Sequence, residues 1–251
     1  MAEDTLNAQV DERRATVLEH LKELRKRILY SGAAVLVGLV FGMITATRIL
    51  RLLTQLVPEG VLAALTPTEN VTVWFQVGLT TGFIIAMPFL VYQLFAFIGP
   101  GLTKREKRFI FSIIPAITIM FLLGVVFAYF IALPQMLRFL VNFGEEFAQP
   151  VFSISSYINI VTRVLLFVGL IFETPLIIMG LARLGIVSPK WLAARRKWWI
   201  LLSFIIAAII SPTMDIYSQT IFAIPMIVLM ELGILLARIV YNKKRNQPQA
   251  A

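Results

Sequence analysis

Long uncharged runs alternate with short clusters of charge along the chain, and the length of each run limits what it can be. Residues 28–47 carry no charge, and a helix of that length, at about 1.5 Å per residue, covers the roughly 30 Å hydrocarbon core of a bilayer. Later runs predict apolar helices at 73–98, 109–133, 157–182, 198–211 and 218–237. The fifth is a helix of only about 21 Å, and the sixth contains Pro225 and Glu231, so both are read as short spans. Pro88 predicts a kink in the second. Gly99-Pro100-Gly101 ends that span, and Lys104-Arg105-Glu106-Lys107-Arg108 makes a compact charged loop before the third. Pro134 and Arg138 end the third span, and the stretches 49–65 (with Pro58 and Glu59) and 136–147 (with Glu145 and Glu146) read as amphipathic connectors at one interface.

The pattern therefore predicts an all-α integral membrane protein with six transmembrane helices. It divides into a charged, amphipathic N-terminal segment at 1–27, a membrane domain at 28–240 and a polar tail at 241–251. Composition agrees: 59% of the 251 residues are hydrophobic and 15% charged, whereas a soluble domain is about half apolar and about a quarter charged. A net charge of +9 would suggest nucleic acid in a soluble protein, but here the cations cluster at the ends of apolar runs. Arg48, Arg51, Arg138 and Arg163 are the four of 23 Lys and Arg outside the N-terminal segment, the loops at 104–108 and 183–197, and the tail from Arg238. By the positive-inside rule both termini face the cytoplasm. No apolar signal core precedes Ile28 and no small-residue cleavage site follows it, so the first span is expected in the mature protein.

Much chemistry is excluded. The chain has no cysteine and one histidine, so disulfides, thiol chemistry and a histidine-rich metal site are ruled out, and no metal or other cofactor is expected. No His-Glu-x-x-His, Gly-x-Ser-x-Gly or phosphate-binding glycine loop occurs, and an enzyme is not expected. Gly38-x-x-x-Gly42 and Gly78-x-x-x-Gly82 permit close helix approach, a spacing common in membrane spans. Trp198-Trp199 beside Arg195-Arg196-Lys197 suits an interfacial anchor. No internal repeat relates the first three spans to the last three.

Two places hold polar residues that packing alone does not ask for. Glu173, followed by Thr174-Pro175, lies deep in the fourth span, where a carboxylate must face protein or water. It is either a transport group or a structural acid tied to a neighbour such as Gln76 or Gln93. Glu231 invites the same argument, and Arg163 is expected to reach the interface rather than Glu173. The second place is His20-Leu-Lys-Glu-Leu-Arg-Lys-Arg27, where charge stops at the doorstep of the first span. There Glu19, Glu23 and Arg27 stand at i,i+4 spacing, so they either pair along an exposed helix or present a binding surface.

Four stretches in order, His20-Leu-Lys-Glu-Leu-Arg25, Ala96-Phe-Ile-Gly-Pro-Gly-Leu102 with Glu106, Phe172-Glu173-Thr-Pro175 and Asp215-Ile-Tyr-Ser-Gln-Thr-Ile-Phe-Ala-Ile-Pro225, resemble the TatC family, the large subunits of twin-arginine protein translocases. The resemblance covers about 17–241. It implies a receptor in the bacterial cytoplasmic (inner) membrane that binds the twin-arginine signal peptides of folded proteins. Such a receptor works in an oligomeric complex with single-span partners, TatA and TatB, and draws on the proton-motive force. It also implies a signal-peptide site at Glu23 and Glu106 with Arg25, Arg27 and Phe97, and transport-related positions at Pro58, Glu173 and Asp215. Where many relatives read Thr-Pro-Pro-Asp, this chain has Pro212-Thr-Met-Asp215, so the turn that aims Asp215 is altered.

The residue chemistry fits that implication, because a guanidinium takes a planar carboxylate as a bidentate partner in a way that lysine does not match. The rival reading is a proton-coupled small-solute transporter with Glu173 and Glu231 as relay groups.

Overall fold

The computed structural model describes residues 2–98, 104–143, 151–212 and 215–245, without the side chains of 2–20, 98, 104–106, 110 and 242–245. Helix α1 (Ala2–Thr54) has 53 residues, about 80 Å at 1.5 Å per residue, more than the thickness of a bilayer with its headgroups. It passes from charged to apolar sequence without a break, since 21–30 contain neither Gly nor Pro. Nor do Arg48 and Arg51 end it. Both are exposed, and their long side chains leave the backbone helical to Thr54. The interfacial helix expected at 49–65 therefore does not form. A turn through Pro58 and Gly60, whose φ of +86° suits glycine, leads instead into the short strand β1 (Leu62–Ala63).

Helix α2 (Glu69–Ile98) accommodates Pro88 and returns along α1. Two glycine pairs make the close approach possible: Gly38 and Gly42 face Gly78 and Gly82, and a methyl group on any of the four would collide with the opposite helix. The spacing that looked unspecific in the sequence is thus the seam between the first two spans.

Helix α3 (Lys104–Phe127) was expected to stop at Pro134 but does not. One wide π turn (Ala128–Ala132), with Leu133 N–H bonding Ala128 C=O, leads into α4 (Leu133–Asn142). Proline lacks an N–H and crowds the carbonyl four residues back, and widening the preceding turn relieves that conflict without ending the helix. Of the amphipathic connector expected at 136–147, residues 136–143 extend this helix and Glu145 and Glu146 lie outside the described residues.

Strand β2 (Phe152–Ser153) pairs in parallel with β1, Leu62 opposite Phe152 and Ala63 opposite Ser153, so the two connectors on this side are joined. Glu69 reinforces the junction by accepting hydrogen bonds from Leu65 N–H (3.1 Å) and the Ser153 hydroxyl (3.2 Å). Helices α5 (Ile154–Phe172) and α6 (Thr174–Leu184) meet at Glu173, where Pro175 in the first turn of α6 prevents an unbroken ladder. Gly185, at φ +85°, closes α6. Ser188 caps the short α7 (Pro189–Ala194).

Helix α8 (Arg196–Ile210) has 15 residues, about 22 Å, short of the hydrocarbon core as its sequence predicts. Helix α9 (Ile216–Arg245) corrects the expectation of a short sixth span, since it has 30 residues with Pro225 inside. A single missing donor does not end a helix whose buried face, including Phe222, Ala223, Met230 and Ile234, is packed on its neighbours. Among the described residues five segments are long and apolar enough to cross a membrane: Leu21–Thr54, Glu69–Phe97, Lys107–Asn142, Ile154–Leu184 and Ile216–Tyr241.

The largest core cluster joins the end of α1 to α2, the π turn, α4, α5, α8 and α9 through residues such as Leu53, Val73, Leu133, Ile158 and Phe222. Two hydroxyls bind it to α1: Tyr157 donates to Leu53 C=O at 2.6 Å and Tyr129 to Leu52 C=O at 3.0 Å.

Candidate functional site

At the other end of the α1–α2 seam, three side chains form a linked set. Arg27 Nη1 donates to Gln93 Oε1 at 3.0 Å, and Arg27 Nη2 reaches Glu23 Oε1 at 3.3 Å. Helical spacing puts Glu23 one turn before Arg27, and the glycine seam brings α2 near enough for Gln93 to meet it. Gln93 is only 4% exposed, whereas Glu23 and Arg27 are half-buried and Arg25 is exposed. Arg27 Nε is buried and has no hydrogen-bond partner among the described residues. The pairing of Glu23 with Arg27 that the spacing suggested does form. What the spacing could not show is that Arg27 also bonds a second helix, with Gln93 one turn before the half-buried Phe97.

Glu106, expected in a loop, falls in the first turn of α3, eight residues after α2 ends, but its side chain lies outside the described residues, as do those of Glu19 and His20. The five-residue connection keeps the start of α3 at the same end of the bundle as Phe97. This end also gathers Arg183, whose guanidinium lies 5.2 Å from the centre of the Phe109 ring, and Arg196 at the start of α8.

Glu173 sits at the α5–α6 junction and is 6% exposed. Of the two environments its sequence allowed, it occupies the protein interior. Neither proposed glutamine is its partner: Gln76 bonds the Thr162 hydroxyl at 3.0 Å and Gln93 bonds Arg27. Glu173 Oε1 is buried without a hydrogen-bond partner among the described residues. Arg163 is exposed, as expected for a side chain that does not turn inward to Glu173. Glu231 is occupied elsewhere, since its two oxygens receive Arg196 Nε and Nη2 at 2.6 and 2.8 Å.

Pro58 is exposed in the turn after α1, where its carbonyl accepts Val61 N–H. Asp215 directly precedes α9, and its Oδ2 accepts Ser218 N–H at 2.6 Å, capping the helix N-terminus. Thr213 and Met214 lie outside the described residues. No cluster of three or more His, Cys, Asp and Glu able to hold a metal occurs among the described residues.

Gln93 is the residue that sequence reasoning undervalued. Its available signal was an amide, one of two with Gln76, inside an apolar span and one turn from Phe97.

Comparison with known proteins agrees with this architecture. Residues 19–225 match the family described as Sec-independent protein translocase protein (TatC). The TatC protein of Aquifex aeolicus is 36% identical over 238 residues, covering 92% of this chain and 98% of that protein. TatCy of Bacillus subtilis is 32% identical over 238 residues, covering 94% and 93%. A crystal structure of the twin arginine translocase receptor TatC superposes with a TM-score of 0.77 at 36% identity, covering 88% of this chain and 99% of that one. A second crystal structure of that receptor, in DDM, gives 0.79, covering 87% and 99%. A small-solute transporter with Glu173 and Glu231 as relay groups finds no support in these relatives, and the pairing of Glu231 with Arg196 removes one of its two acids. The chain belongs to the TatC family of Sec-independent protein translocase proteins.

Proposed function

We propose that this protein is the receptor and core subunit of a twin-arginine translocase, binding twin-arginine signal peptides and mediating export of folded proteins at the expense of the proton-motive force. The observation that carries the reading is Glu23 at the foot of the α1–α2 seam, paired with Arg27, which Gln93 in turn anchors to α2, in a chain of this family. A carboxylate that already accepts a guanidinium has the geometry to accept another.

Glu23 and Glu106 together read the two arginines, with Arg25, Arg27 and Phe97 beside them. Pro58, Glu173 and Asp215 serve the transport step, and no covalent chemistry is performed. The protein spans the bacterial inner membrane six times with α8 as the short fifth crossing, and both termini are cytoplasmic. Support comes from Arg27, Arg183 and Arg196, which gather at one end of the helices as the positive-inside rule requires. The single-span subunits TatA and TatB are its partners in an oligomeric complex.

A twin-arginine peptide carrying a photocrosslinker should label the 19–27 and 97–108 stretches. Glu23→Ala and Glu106→Ala should each weaken peptide binding by roughly one to two orders of magnitude, the consequence of losing a charge-assisted hydrogen-bonded pair. Unchanged affinity in both and in the double variant would overturn the shared site.

A further inference from the structure

We infer that Gln93 is a positioning residue of this site, which holds Arg27 as an internal guanidinium on Glu23 so that an incoming arginine must exchange with it. The inference rests on the receptor reading above and adds to it a residue and a source of selectivity.

Arg27 is shared unequally. Its bond to the Gln93 amide oxygen is 3.0 Å, within the ordinary range, whereas its contact with Glu23 is longer, at 3.3 Å, and is made by Nη2 alone. The Gln93 end is the fixed one, because Gln93 is 4% exposed on α2 and the glycine seam ties α2 to α1. Glu23 therefore meets a cation turned partly away from it, and only one of its oxygens is engaged by Arg27. An arriving guanidinium donates two parallel hydrogen bonds of about 2.7–2.9 Å to a carboxylate and displaces a single long one. Displaced Arg27 keeps the Gln93 oxygen, so it is not left buried without a partner.

A lysine ammonium offers charge without the planar fork and competes less well with a resident guanidinium. The internal arginine thus sharpens discrimination between arginine and lysine. Without Gln93, Arg27 is free to turn both terminal nitrogens onto Glu23 and close the site more firmly.

The test is a double-mutant cycle on the full-length protein in detergent, measuring affinity for a synthetic twin-arginine peptide and its twin-lysine counterpart. Gln93→Leu keeps volume at a buried position and should weaken twin-arginine binding about three- to tenfold, and Arg27→Met should reduce the arginine-to-lysine preference by a similar factor. In the Arg27→Met background, Gln93→Leu should then have no further effect, because Gln93 acts only through Arg27. Equal effects of Gln93→Leu in both backgrounds would overturn the inference and make Gln93 a packing residue. So would an unchanged affinity of Gln93→Leu while Glu23→Ala abolishes binding, an outcome that leaves the receptor reading intact. Unchanged binding by Glu23→Ala would instead remove Glu23 from the site and, with it, the part of the receptor reading on which this inference rests. Gln93→Asn, which keeps the amide on a shorter arm, should retain more binding than Gln93→Leu if the fold survives, and near-ultraviolet circular dichroism reports that survival.

Discussion

Gly42 and Gly78 face each other across the α1–α2 crossing so closely that a methyl group on Gly42 would overlap the carbonyl oxygen of Gly78. Backbone cannot move aside as a flexible side chain does, so the two helices must separate to admit any larger residue. Gly42→Ala should therefore destabilise the protein by about 1–3 kcal/mol. Gly32→Ala, at a position with nothing within 4 Å among the described residues, should leave stability unchanged. Thermal unfolding of the two variants in one detergent checks the contrast. Because the same seam brings Gln93 to Arg27, Gly42→Ala should also weaken signal-peptide binding.

Tyr157 secures the far end of α1 through its hydroxyl, buried and 2.6 Å from Leu53 C=O. Tyr157→Phe leaves the ring packed and the carbonyl without this donor, at a cost of about 1–2 kcal/mol. Tyr129→Phe removes the equivalent bond to Leu52, made by a half-buried rather than a buried side chain, and should cost less. Equal losses in the two variants, measured by chemical unfolding, would contradict this account.

Asp215 caps α9 through Ser218 N–H. Asp215→Asn keeps an acceptor of the same shape, whereas Asp215→Ala removes it and should cost about 1 kcal/mol. If the carboxylate serves only as a cap, export of a twin-arginine reporter by Asp215→Asn should match the parent protein. A transport role predicts that Asp215→Asn is as stable as the parent yet exports less.

Glu173 is buried at a helix junction that already contains a proline, an expensive place for a carboxyl group with no function. Glu173→Leu should insert into the membrane and fold but export twin-arginine substrates poorly. Glu173→Gln, closer in shape and polarity, should retain more export. Membrane fractionation and the amount of mature reporter in the periplasm separate insertion from transport, and normal export by Glu173→Leu would make the acid structural.

What this sequence determines by itself is local. Run lengths placed the apolar helices, the shortness of α8 included, because a helix advances a fixed distance per residue. The i,i+4 spacing put Glu23 beside Arg27, a consequence of the geometry of a single helix, whereas 157–182 read as one span and its division into α5 and α6 at Glu173 came from the structure. The continuation of helix through Pro134 and Pro225 was not readable, since it depends on a π turn in one case and on packed neighbours in the other. Which face of each span meets which neighbour was settled only in three dimensions. Both sides of a membrane helix are apolar, so exposed Leu79 and buried Val77 carry the same hydrophobic signal and periodicity does not mark the packed side. For that reason the meeting of Gly38 and Gly42 with Gly78 and Gly82, the bond of Gln93 to Arg27 and the pairing of Glu231 with Arg196 rather than its use beside Glu173 belong to the tertiary structure alone.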